Sequence, residues 1–195
     1  MQDCVGSDHM TAGSLYTFTS DRNGLTNDAI SLNGGYTNFP ADVYFNSAFT
    51  ISAWVNPNNL GIWSRIIDFG AGASIYNVLL TFNAGSSNDI ALHLYSNGNP
   101  IVLFQPSYQL PWNTWSFVAV TYNGYTATIY INGGQIASQT NAGYWVPENV
   151  VRSQSYCGRS EYSVDEYSDS LIDQIQIYNR ALSSGEISTL YSYTN

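Results

Sequence analysis

The sequence predicts an all-β protein, a sandwich or barrel of many short strands that ends in one helix. Three observations support this prediction. Apolar and polar residues alternate with a period of two in many short runs, as in half-buried strands. Asn-Gly pairs between some of these runs favour tight hairpin turns. The spacing typical of a helix occurs only near the carboxyl terminus.

The clearest early strand covers residues 49–55. Its odd-numbered residues, from Phe49 to Val55, share one face, and the even-numbered residues, including Trp54, share the other. Further strands are predicted at 64–69, 77–82, 90–95, 101–105, 116–122, 126–131, 135–139 and 171–178. Turns are predicted at Asn97-Gly98, Asn123-Gly124 and Asn132-Gly133-Gly134.

The terminal helix is predicted from its first turn. Ser183 and Glu186 have the spacing of a capping box, and Ile187, Leu190 and Tyr191 then fall on one helical face. The rest of the chain shows no linker, low-complexity tract or internal repeat. We therefore predict a single domain over residues 11–195, preceded by a tail at residues 1–10.

The composition excludes several classes of protein. The 195 residues carry a net charge of −9, with five arginines, no lysine and only 10% charged residues. Such acidity disfavours binding to nucleic acid or to an anionic membrane. The 44% hydrophobic and 15% aromatic content excludes a disordered tail, and the scarcity of charge excludes a coiled coil. No run approaches the roughly 18 to 20 apolar residues that span a bilayer, so we expect no membrane insertion.

The tail leaves two questions open. It has no basic start and no apolar stretch, so it is not an intact signal peptide. Residues 6–10 are a cloning remnant, or Gln2 is the first mature residue behind an added Met1; the sequence allows both. Cys4 and Cys157 are either a disulfide of a secreted protein or two unpaired thiols, and this also stays open.

Four segments, taken in order, resemble the laminin-G-like domains of the concanavalin A-like lectin/glucanase class. They read AFTISAWV at 48–55, WSFVAVTYNG at 115–124 with IYING at 129–133, CGRS at 157–160, and LIDQIQIYNRALS at 171–183. The resemblance covers roughly residues 13–191. It implies a two-sheet antiparallel jelly-roll sandwich with one concave sheet, loops at the rim and one short C-terminal helix. Members of this class bind carbohydrates, mediate adhesion or accompany enzymes, so the site must decide the function.

Asp173 lies in a strand in which positions 171, 173, 175 and 177 are predicted to share an apolar face. A carboxylate buried there needs a cation, hydrogen-bond donors or access to water. The resemblance implies a structural Ca²⁺ ion held by Asp173 together with Asp21 and Asp28, since calcium accepts six to eight oxygens in irregular geometry. The alternative is a carboxylate that accepts backbone N–H bonds or pairs with Arg22 or Arg180.

Aromatic residues outside the family segments are the candidates for ligand contact, because an exposed ring beside amides and carboxylates suits a sugar. Trp54 and Trp115 lie within those segments, and we expect them to pack in the core. The predicted ligand-binding residues are Trp63, His93, Tyr144, Trp145, Tyr156, Arg159, Glu161 and Tyr162. The alternative for them is a loop-anchoring role or a solvated acidic loop.

The sequence favours a non-catalytic carbohydrate-recognition or adhesion domain that is secreted or exposed at the cell surface. Its expected partner is a glycan or glycoprotein, and it acts alone or within a larger secreted or surface protein. The carboxylate string Glu-x-Asp-x-x-Glu of jelly-roll hydrolases is missing, and a chain without lysine cannot supply the basic residue of jelly-roll lyases. A protein-binding or structural module of a surface assembly, and a hydrolase or lyase with an unrecognised site, remain the alternatives.

Overall fold

The computed structural model of the protein describes residues 9–194, which contain twelve strands and one helix. The strands are β1 (Thr11–Thr19), β2 (Ala29–Asn38), β3 (Phe49–Pro57), β4 (Arg65–Gly70), β5 (Val78–Thr81), β6 (Ala91–Ser96), β7 (Asn99–Phe104), β8 (Ser116–Tyr122), β9 (Thr126–Ile131), β10 (Gly134–Thr140), β11 (Gln154–Cys157) and β12 (Ser168–Tyr178). The helix α1 covers Ser184–Thr194. The predicted all-β class with a terminal helix is confirmed.

Each of the predicted strands is present, with its ends within three residues of the prediction. β1 and β2 were not predicted, because β1 is largely exposed and the alternation of β2 is interrupted by Asn33-Gly34-Gly35. The family segment at 157–160 corresponds to a strand only at its first residue. Strand β11 ends at Cys157, and Gly158, with a φ of +83°, turns the chain out of the ladder.

The strands form one antiparallel hydrogen-bonded path, β10-β9-β8-β3-β12-β2-β11-β4-β5-β6-β7, with β1 added to β2. Strand β2 passes from one layer to the other. Its first half pairs with β12, whereas Thr37 and Asn38 pair with β11. The change occurs at Gly34, with a φ of +62°, and at Gly35, where a Cβ would collide with the Leu15 carbonyl. Glycine at these positions therefore lets one strand belong to both layers.

The main core lies between the two layers. One layer contributes residues such as Ile51 of β3 and Val120 of β8, and the other contributes Ile67 of β4 and Leu92 of β6. A second, smaller core lies outside the β3–β8–β9 layer, where α1 covers Trp54 and its neighbours. Both faces of β3 are therefore buried, and the expected packing role of Trp54 is confirmed.

Two of the three predicted turns and the helix cap take the expected geometry, whereas Asn123-Gly124 lies in a three-residue loop between Tyr122 and Thr126. Asn97-Gly98 and Asn132-Gly133 are two-residue hairpin loops in which both residues have positive φ, as a type I′ turn requires. At the start of α1, the Ser183 N–H donates to Glu186 Oε2 at 2.8 Å, and the Glu186 N–H donates to Ser183 Oγ at 3.3 Å. No helix within residues 9–194 is long and apolar enough to cross a membrane.

Most of the predicted tail lies outside the described residues. Cys4 is among these residues, so the pairing of Cys4 with Cys157 remains a prediction with both alternatives open. Cys157 itself is fully buried in the main core, and burial raises the pKa of its thiol to about 12. The Cys157 thiol is therefore protonated at neutral pH wherever it is not in a disulfide.

Candidate functional site

One face of the β11–β4–β5–β6 layer carries a row of polar and aromatic side chains. The pairing register aligns Tyr156 with Asp68, Asp68 with Leu79, and Leu79 with His93. The alternate residues of these strands, such as Ile67 and Leu92, belong to the main core. Side chains alternate across a strand, so this row points away from the core. We call this surface the site face.

A β-bulge in β4 adds a buried ion pair to the site face. The register shifts between Arg65 and Ile67, so that Ile66 and Ile67 both enter the core and Arg65 reaches the side of Asp68. The Arg65 guanidinium donates to Asp68 Oδ2 at 3.3 Å and to Asp165 Oδ2 at 2.7 Å, with only 2% of its side chain exposed. The bulge therefore places a desolvated cation between two carboxylates beneath the site.

The segment after β11 folds over this ion pair. Ser160 Oγ donates to Asp165 Oδ2 at 2.7 Å and accepts a bond from Arg65 Nη2 at 2.9 Å. The Glu161 N–H donates to Asp68 Oδ2 at 3.2 Å, and the Gly72 N–H donates to Glu161 Oε2 at 2.6 Å. These bonds anchor the loop that carries the predicted residues Glu161 and Tyr162 to strand β4.

Glu161 is held in an unusual electrostatic state. Burial, reinforced by the nearby Asp68 carboxylate, raises the pKa of Glu161 to about 8. Its Oε1 atom is buried and accepts no hydrogen bond, and Oδ1 of the neighbouring Asn77 is likewise without a donor. Two buried oxygens without donors suit a ligand hydroxyl or a water molecule. A protonated Glu161 can also donate a hydrogen bond.

Aromatic rings continue the site face across β5 and β6. Trp63 lies 5.6 Å from His93, and His93 lies 6.4 Å from Tyr95, measured between ring centroids. Trp63 adopts a φ of +60°, a conformation that costs free energy for a bulky residue and is held here because its carbonyl accepts a bond from Arg65 at 2.5 Å. Burial and the charge of Arg65 lower the pKa of His93 to about 4, so this imidazole is neutral at pH 7.

Arg159 completes the other end of the site face. Its guanidinium lies over the rings of Tyr156, Tyr36 and Tyr167, at 4.5, 4.9 and 5.8 Å from their centroids. The Tyr36 ring also makes an edge contact with that of Tyr156 at 5.8 Å. The predicted residues Tyr156 and Arg159 therefore belong to one aromatic cluster.

The structure brings six of the eight predicted ligand residues onto the site face, and the other two lie elsewhere. The six are Trp63, His93, Tyr156, Arg159, Glu161 and Tyr162. Trp145 packs against the main core and Tyr122, and its backbone N–H donates to the Gly124 carbonyl at 2.9 Å. Tyr144, 62% exposed, contacts Tyr125 at the β8–β9 turn. Trp145 and Tyr144 therefore lie apart from the other six, and their contact with a ligand stays a prediction.

The three predicted calcium ligands meet at a separate place. Carboxylate oxygens of Asp21, Asp28 and Asp173 lie within 4.8 Å of one another. Asp21 and Asp173 are buried, and Asp28 is exposed. Arg22 also reaches this cluster, with its Nη1 2.9 Å from Asp173 Oδ2. Burial, together with repulsion from the other two carboxylates, raises the pKa of Asp173 to about 6.

The prediction that Asp173 shares a face with Ile175 and Ile177 was wrong. The register of β12 shifts between Asp173 and Gln176, and Gln174 has a φ of +49°, so a bulge reverses the faces. Ile175 and Ile177 pack against the main core. Asp173 instead pairs with Trp54 on the outer face, where Arg22 covers the Trp54 ring at 4.3 Å.

Comparison with known proteins agrees with this architecture. A family model described as the concanavalin A-like lectin/glucanases superfamily matches residues 31–188. This chain belongs to that superfamily. The jelly-roll fold implied by the sequence resemblance is therefore confirmed for this concanavalin A-like domain.

Relatives of this concanavalin A-like domain include bacterial toxins. The chain is 24% identical over 153 residues to botulinum neurotoxin type X of Clostridium botulinum, a match that covers 74% of this chain and only 11% of the toxin. Among solved structures, the binding domain of Paraclostridial Mosquitocidal Protein 1 is 20% identical with a TM-score of 0.74. That match covers all of this chain and 50% of the other.

A third relative carries a bound saccharide. Domain 4 of AbnA, a GH43 extracellular arabinanase from Geobacillus stearothermophilus, was solved in complex with arabinotriose. It is 20% identical, with a TM-score of 0.74, over 95% of this chain and 88% of that domain. At this identity the match establishes the shared fold and leaves the ligand of the present domain to its own residues.

Several residues of the site were not predicted from the sequence. Arg65 and Asp68 stand in a strand that is otherwise apolar, and two charges in such a strand were an available indication of a buried ion pair. Tyr36 and Tyr95 gave no such indication, because tyrosine occurs 16 times in this chain. Only the strand register shows that both belong to the site face.

Proposed function

We propose that this concanavalin A-like domain is a non-catalytic saccharide-binding domain of a secreted or cell-surface protein, and that the site face binds the glycan. The observation that carries this proposal is the presence of two groups of rings on the site face, with polar side chains between them: Trp63 with His93 and Tyr95, and Tyr36 with Tyr156 and Tyr167. Such rings cover the C–H faces of a sugar, while neighbouring polar groups bind its hydroxyls. Tyr162 supplies one hydroxyl, which contacts Ser74 Oγ at 2.5 Å.

The contacts of the three carboxylates on the site face favour binding over catalysis. Asp68 and Asp165 are engaged with Arg65, and Glu161 is anchored to Gly72, so each carboxylate of this cluster has a structural contact. Glycoside cleavage requires two carboxylates that both reach the scissile bond. Release of reducing ends from polysaccharides on incubation with the protein would contradict the non-catalytic part of the proposal.

A glycan array, followed by calorimetry on the best ligands, tests the saccharide proposal. Trp63→Ala and Tyr162→Ala are expected to weaken binding at least tenfold, since hot-spot aromatics contribute about 2 kcal/mol or more. Tyr193→Ala is the matched control, because Tyr193 lies on α1 and is 86% exposed. Arabino-oligosaccharides belong in the array, since AbnA domain 4 was solved with arabinotriose.

The second candidate function is protein binding. It is favoured by the exposed pair Tyr125 and Tyr144, whose ring centroids lie 5.1 Å apart at the far end of β8 and β9. Exposed tyrosines of this kind are enriched in protein interfaces. If Tyr144→Ala abolishes attachment to a receptor-bearing surface while Trp63→Ala leaves it intact, the functional site is this pair and the site-face proposal is wrong.

We also propose that Asp21, Asp28 and Asp173 hold a structural Ca²⁺ ion. Their three carboxylates within 4.8 Å supply hard oxygen ligands and mutual repulsion that a divalent cation relieves. Arg22 competes for the same site, because it already donates to Asp173. Bound calcium would tie the β1–β2 segment to β12, without taking part in ligand binding on the site face.

Calcium titration of the melting temperature tests the metal proposal, with magnesium as the competing ion. Asp28 is exposed, so Asp28→Asn preserves the fold while removing one ligand, and it is expected to abolish the calcium-dependent rise. Arg22→Gln is expected to strengthen calcium binding by removing the competing cation. Equal melting temperatures with calcium and with chelator, in the wild type and in Arg22→Gln, would exclude the metal.

A further inference from the structure

Four of the five arginines are held by ion pairs or hydrogen bonds of their side chains. Arg22 and Arg65 pair with buried aspartates, and Arg180 pairs with Glu186 at 2.7 Å. Arg152 is fully buried, and its guanidinium donates to backbone carbonyls. Each of these four side chains therefore has at least one fixed partner, although Arg22 Nε and Arg152 Nη2 are buried without one.

Arg159 differs from the other four. Within residues 9–194 it forms no salt bridge and no hydrogen bond through its side chain, although it is only half-buried. Its contacts are the faces of Tyr156, Tyr36 and Tyr167, at 4.5 to 5.8 Å. These rings hold the guanidinium in place and accept none of its N–H donors in the usual geometry.

This arrangement leaves a planar set of donors aimed at no protein acceptor. A guanidinium fork matches a carboxylate with two parallel N–H···O bonds, and stacking on aromatic rings reduces the entropy lost when those bonds form. We propose that Arg159 binds the carboxylate of an acidic saccharide, so that the glycan of the site face is a uronic or sialic acid type. This inference rests on the proposed saccharide-binding function.

The charge of the molecule makes a fixed cation necessary for such a ligand. With a net charge of −9, the protein repels anions at long range, and an acidic sugar therefore gains affinity only at a local positive group. Arg159 supplies that group beside the rings of Tyr156 and Tyr167, the latter 42% exposed. The tyrosine rings then cover the sugar ring while the guanidinium binds its carboxylate.

Calorimetry with tri-galacturonic acid and its fully methyl-esterified form tests the inference. Esterification removes the negative charge of each carboxylate and adds one methyl group, so the acid is expected to bind roughly tenfold to hundredfold more tightly, the range of a charge-assisted pair. Arg159→Gln is expected to remove that preference, so that the acid and the ester bind this variant with equal affinity. Arg159→Lys keeps the charge without the fork and should retain only part of the preference.

The outcomes separate this inference from the function on which it rests. Equal affinity for acid and ester, or an unchanged preference in Arg159→Gln with a wild-type melting temperature, would overturn the role of Arg159. Ester binding that is still lost in Trp63→Ala would then preserve the saccharide proposal. Failure of the protein to bind the acid, the ester or any arrayed glycan would overturn both.

Discussion

Two regions of this molecule are built from the same three residue types. In each, an arginine lies over a tryptophan and pairs with a buried aspartate. Arg22 covers Trp54 at 4.3 Å and donates to Asp173. On the other layer, Arg65 lies 5.7 Å from the Trp63 ring centroid and donates to Asp68.

The two tryptophans nevertheless have different surroundings. Trp54 is 4% exposed because α1 packs over it: its ring lies 5.7 Å from that of Tyr191, and its Nε1–H donates to Thr194 Oγ1 at 3.0 Å. Trp63 has no helix above it and stays partly exposed beside His93. The same local chemistry therefore forms a core around Trp54 and a candidate ligand surface around Trp63. The helix that covers one region makes the difference.

Loss of the buried ion pair on the site face should lower the free energy of unfolding more than any other change considered. Arg65→Leu leaves Asp68 and Asp165 without their cation, and removing one partner of a buried pair costs about 3 to 5 kcal/mol of the free energy of unfolding. Urea denaturation measures the loss. Arg180→Leu is the matched control, because its ion pair is exposed, and it should unfold at nearly the wild-type urea concentration.

The next effect compares the two tryptophans directly. Trp54→Ala is expected to lower the free energy of unfolding by about 3 kcal/mol, since it opens a cavity beneath α1. Trp63→Ala should cost less than half as much and should weaken saccharide binding, because that ring is partly exposed to solvent. Thermal denaturation and calorimetry on both variants measure this; a larger stability loss for Trp63→Ala would contradict the distinction between core and site.

The pH dependence of stability should differ in sign between Glu161 on the site face and Glu186 at the start of α1. The pKa of Glu161 on the site face is raised from 4.5 to about 8, so the folded state holds this proton more tightly than the unfolded chain. Stability therefore falls as pH rises from about 4.5 to about 8, and Glu161→Gln should remove that decline. Glu186 at the α1 cap has a pKa lowered to about 2 by Arg180 and Ser183, so its contribution is lost as pH falls below 4.5. Melting temperatures across roughly pH 2 to 9, a range that spans both windows, measure both slopes.

The smallest effect concerns the helix that covers Trp54. Ser183→Ala removes the Oγ that accepts the Glu186 N–H, and loss of such a cap costs about 1 kcal/mol. The substitution should increase Trp54 solvent exposure in fluorescence quenching, while saccharide binding at the site face remains at the wild-type level. A change in saccharide affinity would show that α1 and the site face are coupled, and would contradict the view that the two regions are independent.

Much of the fold could be predicted from the sequence, because strand periodicity and Asn-Gly turns are local properties. The hairpin at Asn97-Gly98 and the cap at Ser183 each depend on a few neighbouring residues, and both formed as predicted. The proximity of Asp21, Asp28 and Asp173 was also predicted, but from the family resemblance, which implies contacts between residues far apart in the sequence. Strand β2 was not predicted because Gly34 and Gly35 interrupt its alternation. These glycines lie where the strand passes from one layer to the other, and no local sequence pattern indicates such a passage.

The sequence by itself determined the all-β class, the strand order along the chain, and a surface rich in tyrosine and poor in charge. Only the tertiary structure decided which faces are core and which are site. The physical reason is that one extra residue in a strand exchanges its two faces, and alternation alone does not show where a bulge occurs. The bulge after Asp173 moved that carboxylate to the side of Trp54, and the bulge at Ile66 brought Arg65 to Asp68. The cover over each face is likewise a tertiary property, since α1 reaches Trp54 from the far end of the chain.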